Sequence, residues 1–323
     1  MNILLTFDYE LFFGDSSGSV EKCMLQPTED LLAIARGNEV VYTFFVDVGY
    51  LIASKKYPEL DAEREHIEAQ IQLMVKEGHS VQLHVHPHWE KAEWKEGQWH
   101  SNTSGNYKLS DFSEEEAHSI IEKYKQVLEL ITGKTIFAFR AGGWCIQPFS
   151  HIQNAFKASG LTVDSSVIPG GFLMTDDYHV DFTNAPRKSR YNFQKDVCIE
   201  VENGDFTEFP ISSLRYSPLF FWKLYILGRL FPAKHKMIGD GKFLSQGGRK
   251  RSVLTTYTDY HVSTDGYYAS KLSSGLQKSI NLKFNEMVVI GHPKGNTSYS
   301  LSKLKNFIEL NQNNHCFITF PDK

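Results

Sequence analysis

The chain has 323 residues, 41% of them hydrophobic and 22% charged. That balance excludes a disordered tail, a collagen-like fibre and a disulfide-stapled miniprotein, and predicts a sizeable core. Lys and Arg total 34 against 38 Asp and Glu, giving a formal charge of -4 with no block of like charges, so nucleic acid is not an expected partner.

Cys23, Cys145, Cys198 and Cys316 are scattered, form no CxxC pair and read as ordinary buried thiols. Asp8 interrupts the apolar start before it reaches the length of a secretory leader, so a cytoplasmic location is expected. Leu219 to Phe231 is the most apolar stretch, but it contains Lys223 and Arg229 and is too short to span a bilayer, which needs about 20 apolar residues. At most it forms a peripheral contact with a membrane or partner surface.

In chain order, Met1 to Phe7 and Val40 to Val46 read as buried strands, separated by a helix that opens at Pro27-Thr28-Glu29-Asp30 and ends at Gly37-Asn38. Ala62 to Lys76 has helical spacing and stops at Gly78, and Ser80 to Val85 is the next strand. Trp89 to Asn106 reads as a polar loop. Ser113-Glu114-Glu115-Glu116 resembles a helix start, and Gly133 ends that helix. Ile136 to Phe139 is a strand, Gln147 to Ala158 a helix, and Leu161 to Asp164 a strand. The rhythm then changes over 176–252, with strand-like pieces at Val197 to Val201 and Phe206 to Ile211 around the apolar stretch. Val253 to Thr258 and Met287 to Ile290 read as late strands, Ala269 to Ile280 and Ser300 to Leu310 as late helices.

Sequential strand–helix units without a GxGxxG after the first strand favour an α/β parallel barrel over an open nucleotide-binding sheet. The expected organisation is one barrel domain over 1–323, with an elaboration at 176–252. Barrel chemistry sits where strands end, and polar residues gather at those predicted ends: Asp8 and Glu10, His84 to His88, Arg140, Asp164 and His292.

Asp8 and Glu10 lie two apart, on one side of an extended strand, where one can hold a metal while the other takes a proton. His84, His86 and His88 fall within five residues, and imidazoles suit zinc and similar ions. A helical turn would align His84 with His88; an extended chain would align His84 with His86. His79 lies at the opposite end of that strand and is left out. Arg140 can hold a carboxylate ionised, and Gly142 and Gly143 follow it without side-chain bulk. Asp164 and His292 could form a pair in which the Asp orients and charges the His.

The order of these pieces resembles the polysaccharide deacetylases of carbohydrate esterase family 4, from residue 6 to residue 292. Their TFDDG, HxxxH and RxPxG motifs, later Asp and terminal His find counterparts here. These are Thr6-Phe7-Asp8-Tyr9-Glu10, His84 to His88, Arg140-Ala141-Gly142-Gly143, Asp164 and His292. Tyr9 stands where the family has a second Asp, and Gly142 where it has the Pro. The resemblance implies a distorted, seven-stranded (β/α) barrel and a divalent ion, zinc above all, on Glu10, His84 and His88, with water in an open position. Asp8 would be the base, His292 the acid, Arg140 the positioner of Asp8 and Asp164 that of His292. The implied reaction is removal of N-acetyl groups from a saccharide.

Trp89, Trp94 and Trp99 recur in the loop after the histidines, and Trp144 follows Gly143; Trp89 and Trp144 are the expected sugar-stacking surfaces. Tyr257, Tyr260, Tyr267 and Tyr268 either line the same cleft or pack the barrel edge. A missing leader and one apolar patch suit a lipid-linked or nucleotide-linked saccharide precursor. Two other readings compete: a binding relative inactivated at Tyr9, and a small-molecule C–N amidohydrolase on the same barrel.

Overall fold

The computed structural model describes residues 1–174, 178–242 and 249–322, apart from the side chains of Asp15 and Arg249. Parts of the expected elaboration, at 176–177 and 243–248, lie outside the described residues.

Among the described residues, seven parallel strands form the main path of a curled sheet in the order Phe206–Glu208, Val163–Asp164, Ala138–Ala141, Ser80–Val85, Thr43–Asp47, Asn2–Tyr9 and Glu286–Gly291, and the short Cys316–Phe317 pairs parallel with the start of Asn2–Tyr9 off that path. Its ends meet only through irregular backbone. Ile211 bridges Val288 in parallel, with the Ser212 N–H donating to the Val288 carbonyl at 2.9 Å, and Ser263 bridges Ile290. The barrel is distorted because this seam holds single bridges instead of a ladder. Strands covered on both faces carry near-continuous apolar runs, and Asn2–Tyr9 is buried throughout after Asn2.

Helices Gln26–Asn38, Asp61–Lys76, Glu114–Thr132, Gln153–Ser159, Leu272–Asn281 and Ser298–Asn311 alternate with the strands. The helix start at Ser113 is a capping box: its hydroxyl accepts from the Glu116 N–H, and the Glu116 carboxylate accepts from the Ser113 N–H at 2.9 Å. Gly133 ends that helix at φ 63°, where only glycine is free of strain.

Several expectations are corrected. Trp89 to Asn106 is not a plain loop: it holds a 3-10 turn, Pro87–Lys91, and a hairpin pairing Glu93–Lys95 with Gln98–His100. No strand forms at Val197–Val201; the edge strand is Tyr191–Phe193. Arg249–Thr255 is helical, and the strand begins only at Thr258, pairing antiparallel with Ser213–Tyr216. Helix Gln153–Ser159 starts later than expected, after a separate turn at Phe149–His151. Cys23 and Cys145 are buried thiols, but Cys198 is half-buried and Cys316 exposed.

At the N-terminal end of the sheet, His79 is a packing residue. Its Nδ1 accepts the Tyr42 N–H at 3.0 Å, and its ring stacks on Tyr42. Burial pushes its pKa down to about 4. Folding therefore favours neutral His79, and this stabilisation is complete above the ordinary imidazole value and lost as pH falls through about 4. From the size of the shift, it amounts to about 3 kcal/mol. His79→Asn retains an acceptor but does not titrate. Its thermal melts at pH 7 and about pH 4.5 are expected to differ less than those of the wild type.

Candidate metal and acid–base centre

The candidate residues converge at the C-terminal rim of the strands. Strand alternation turns Tyr9 away from Asp8 and Glu10. Tyr9 is fully buried, and its hydroxyl donates to Gln70 at 2.9 Å, so it does not fill the site.

Glu10 Oε2 lies 3.0 Å from His84 Nε2 and 2.7 Å from His86 Nε2, and the two imidazole nitrogens are 3.1 Å apart. The chain remains extended through His86, so His84 and His86 share a side, whereas His88 falls in the Pro87–Lys91 turn. The structure thus brings His86, not His88, to Glu10 and His84. His88 packs against Trp89 and Phe13, with both ring nitrogens buried and, among the described residues, without a hydrogen-bond partner. Gly142 makes room for the cluster: a Cβ there would collide with the His86 ring.

His84 Nδ1 donates to the Arg140 carbonyl at 2.8 Å, so in the neutral ring Nε2 presents its lone pair toward Glu10. A carboxylate oxygen and two Nε2 atoms suit a divalent ion of the zinc class. Ligands about 2.0–2.1 Å from a tetrahedral ion sit about 3.3 Å apart, close to the spacing of these three atoms. The donor set fits.

Electrostatics follow from burial and neighbours. Burial opposes ionisation of Glu10, but the Lys294 ammonium and the imidazoles outweigh it and hold its carboxyl well below the usual range. Burial likewise opposes protonation of His84, yet Asp8 and Glu10 push it up to about 9. Burial lowers His86 to about 4. Lys294, absent from the sequence reading, is buried. Its Nζ lies 2.9 Å from Glu10 Oε1 and donates to the Leu11 carbonyl at 2.5 Å. It occupies one Glu10 oxygen and leaves the other facing the imidazoles.

Asp8 Oδ1 accepts from Arg140 Nη1 at 2.6 Å. Arg140 is fully buried and anchored through Nε to the Ser165 carbonyl at 2.7 Å and through Nη2 to the Ser165 hydroxyl at 3.0 Å, with its guanidinium 4.2 Å from the Phe45 ring centre. The other Asp8 oxygen stands 4.0 Å from His84 Nε2 and 3.6 Å from His292 Nε2.

His292 is oriented by Asp265, which the sequence reading missed. Asp265 Oδ2 lies 2.7 Å from His292 Nδ1, and Oδ1 accepts the His292 N–H at 2.7 Å. Burial disfavours the imidazolium, but Asp265 and then Asp8 and Glu10 raise its pKa overall. Asp164 does not reach His292: its oxygens accept from the Ser166 N–H at 3.1 Å and hydroxyl at 2.8 Å. Glu208 lies beside it, and burial together with the Asp164 charge raises the Glu208 carboxyl well above its ordinary value.

Trp89 is also corrected. It is buried, and its indole N–H donates to Asp47 Oδ2 at 2.6 Å while its ring packs edge-on to Tyr50 and Trp99, so it offers no face to a sugar. Burial pushes the Asp47 carboxyl up to about 7. Trp144 is half-buried at the rim, packed against Tyr260 and His261, and keeps its candidacy.

The chain matches no protein-family model and no curated protein. Among solved structures, it superposes on a protein from Mycobacterium smegmatis assigned as a polysaccharide deacetylase. The TM-score is 0.53 and the identity 16%, over 98% of this chain and 86% of the other. It superposes as well on the PuuE allantoinase, with a TM-score of 0.52 and 11% identity, over 98% of this chain and 87% of the other. The chain thus has the (β/α) barrel fold of the polysaccharide deacetylases, in a form shared with an allantoinase.

Proposed function

We propose that this protein is a metal-dependent hydrolase that removes N-acetyl groups from a sugar in a polysaccharide or oligosaccharide precursor. The reading is carried by the placement of a Glu10–His84–His86 donor set beside an adjoining pair, an Arg140-held carboxylate and an Asp265-held imidazole. A divalent ion, zinc being the best match to two imidazoles and a carboxylate, supplies Lewis-acid polarisation of the scissile carbonyl and a water of lowered pKa.

The residues divide the proton transfers. Asp8, fixed by Arg140, takes the proton from the attacking water. His292, kept protonated by Asp265, gives a proton to the leaving nitrogen. The amide C–N bond breaks, a C–O bond forms to the water oxygen, and acetate and a free amine leave. Asp8 and Arg140 are closed off from solvent whereas His292 and Asp265 are partly open, so the leaving amine exits on the side of that pair. Trp144 offers a face for a sugar ring. A cytoplasmic location suits a precursor handled before export.

A small-molecule C–N amidohydrolase is the second reading, favoured by the allantoinase superposition, whose TM-score nearly equals the first. Zinc-reconstituted protein is tested for acetate release from N-acetylated oligosaccharides and for hydrolysis of small cyclic and linear amides. Acetate release from the oligosaccharides is expected. Turnover of small amides alone would select the second reading, and inactivity toward both with the metal bound would overturn the hydrolase.

A further inference from the structure

We propose that the Pro218–Leu230 helix and the basic segment around it dock this protein on an anionic lipid bilayer. The inference goes beyond the hydrolase reading and does not depend on it.

The helix is apolar on two faces. Its inner face buries Phe220 and Phe221 against Tyr216 and Tyr268, in a small cluster outside the barrel core. Its outer face carries Leu219, Trp222, Ile226 and Leu230 at helical spacing, and Phe231 extends the patch, with between 46% and 66% of each side chain exposed. Contiguous apolar surface of this kind calls for a cover.

Charge identifies the cover. Residues 209–258 contain nine Lys and Arg against one acidic residue, Asp240, in a chain whose net charge is -4. Lys223, Arg229, Lys234, Lys236 and Lys250 are exposed, and among the described residues none of them forms an ion pair. Two of them, Lys223 and Arg229, interleave with the outer apolar residues on the same helix. Long cationic side chains so placed lay their stems along apolar surface and raise their charges to the level of lipid headgroups. A second copy meeting this face about a two-fold axis would bring the same cations together, and the centre of a protein interface is poor in Lys. The acidic remainder of the molecule favours presenting this face alone to a negative surface.

The docking element also adjoins the reaction rim. Beyond the helix, the N–H groups of Ile238 and Gly239 donate to the carbonyls of Asn296 and Lys294 at 2.9 and 3.1 Å, and Lys294 holds Glu10. If the hydrolase reading stands, a saccharide on a lipid anchor would meet the rim from the membrane side.

The test is co-sedimentation of the whole protein with vesicles of phosphatidylcholine, with and without about a third phosphatidylglycerol. Binding is expected to the anionic vesicles and to be roughly tenfold weaker without the anionic lipid or when salt rises from about 0.1 M to about 0.5 M. The variants W222E/I226E and K234E/K236E should each weaken it roughly tenfold, with circular dichroism melts and metal content unchanged. No sedimentation of the wild type with anionic vesicles, or binding that both variants leave intact, would overturn the proposal. So would a dimer in light scattering that W222E/I226E dissociates while vesicles remain unbound.

Discussion

His86→Ala is expected to abolish stoichiometric metal binding, whereas His88→Ala leaves it in place. The expectation follows from where the strand stops. His84 and His86 are both extended and turn the same way, so their Nε2 atoms meet Glu10 Oε2 at 3.0 and 2.7 Å. His88 sits one turn further on, its ring against Trp89, and contributes no atom to the group of donors that could hold an ion. Even outer-shell partners of a metal ligand are worth 10–100-fold in affinity, so loss of a direct ligand should cost at least about a hundredfold. Metal per folded chain, measured by elemental analysis after dialysis against a weak chelator, separates the outcomes. A metal-free His88→Ala protein beside a loaded His86→Ala protein would return the ion to the pair spaced four apart.

The barrel was legible because its strands are covered on both faces, which forces apolar runs such as Ile3-Leu4-Leu5 and Phe44-Phe45-Val46 in strands that carry a carboxylate, Asp8 or Asp47, near the rim. Asp8, Glu10, His84, Arg140 and His292 were visible for that reason. The misses have physical causes too. Asp265 follows the irregular 262–264 segment that fills the barrel seam by single bridges, and such backbone has no periodicity to read. Asp164 also ends a strand, but its carboxylate is taken up locally by Ser166. A boundary between strand and 3-10 turn decides between His86 and His88, and boundaries are the weakest part of any sequence reading. Lys294 is a lone lysine after His292-Pro293 in the sequence, and only the fold shows that its ammonium reaches Glu10. Trp89 shares its loop with Trp94 and Trp99, yet the indole turns inward because Asp47 needs a donor. The cation excess of residues 209–258 is spread along the segment with no long run, so it forms no block of like charge in the sequence.

Asp8→Asn is expected to lower turnover by about 10²–10⁴-fold, the range of a lost general base, while the metal stays bound through Glu10, His84 and His86. The amide retains the shape of the carboxylate but cannot take a proton from water. It also leaves Arg140 buried opposite a neutral partner, and removing one member of a buried ion pair costs about 3–5 kcal/mol. The melting temperature is therefore read alongside activity, so that loss of fold is not taken for loss of chemistry. Normal turnover in a folded, metal-loaded Asp8→Asn protein would remove Asp8 from the base role. The acid side has its own readout. His292 must be protonated to serve the leaving nitrogen, and Asp265 at 2.7 Å is the leading cause that raises its pKa. Asp265→Asn should therefore move the alkaline limb of kcat/KM to lower pH, because His292 then loses its proton sooner. Asp164→Asn should leave that limb where it is, since Asp164 bonds Ser166. The reverse pattern, a limb moved by Asp164→Asn and untouched by Asp265→Asn, would break the assignment of the acid pair.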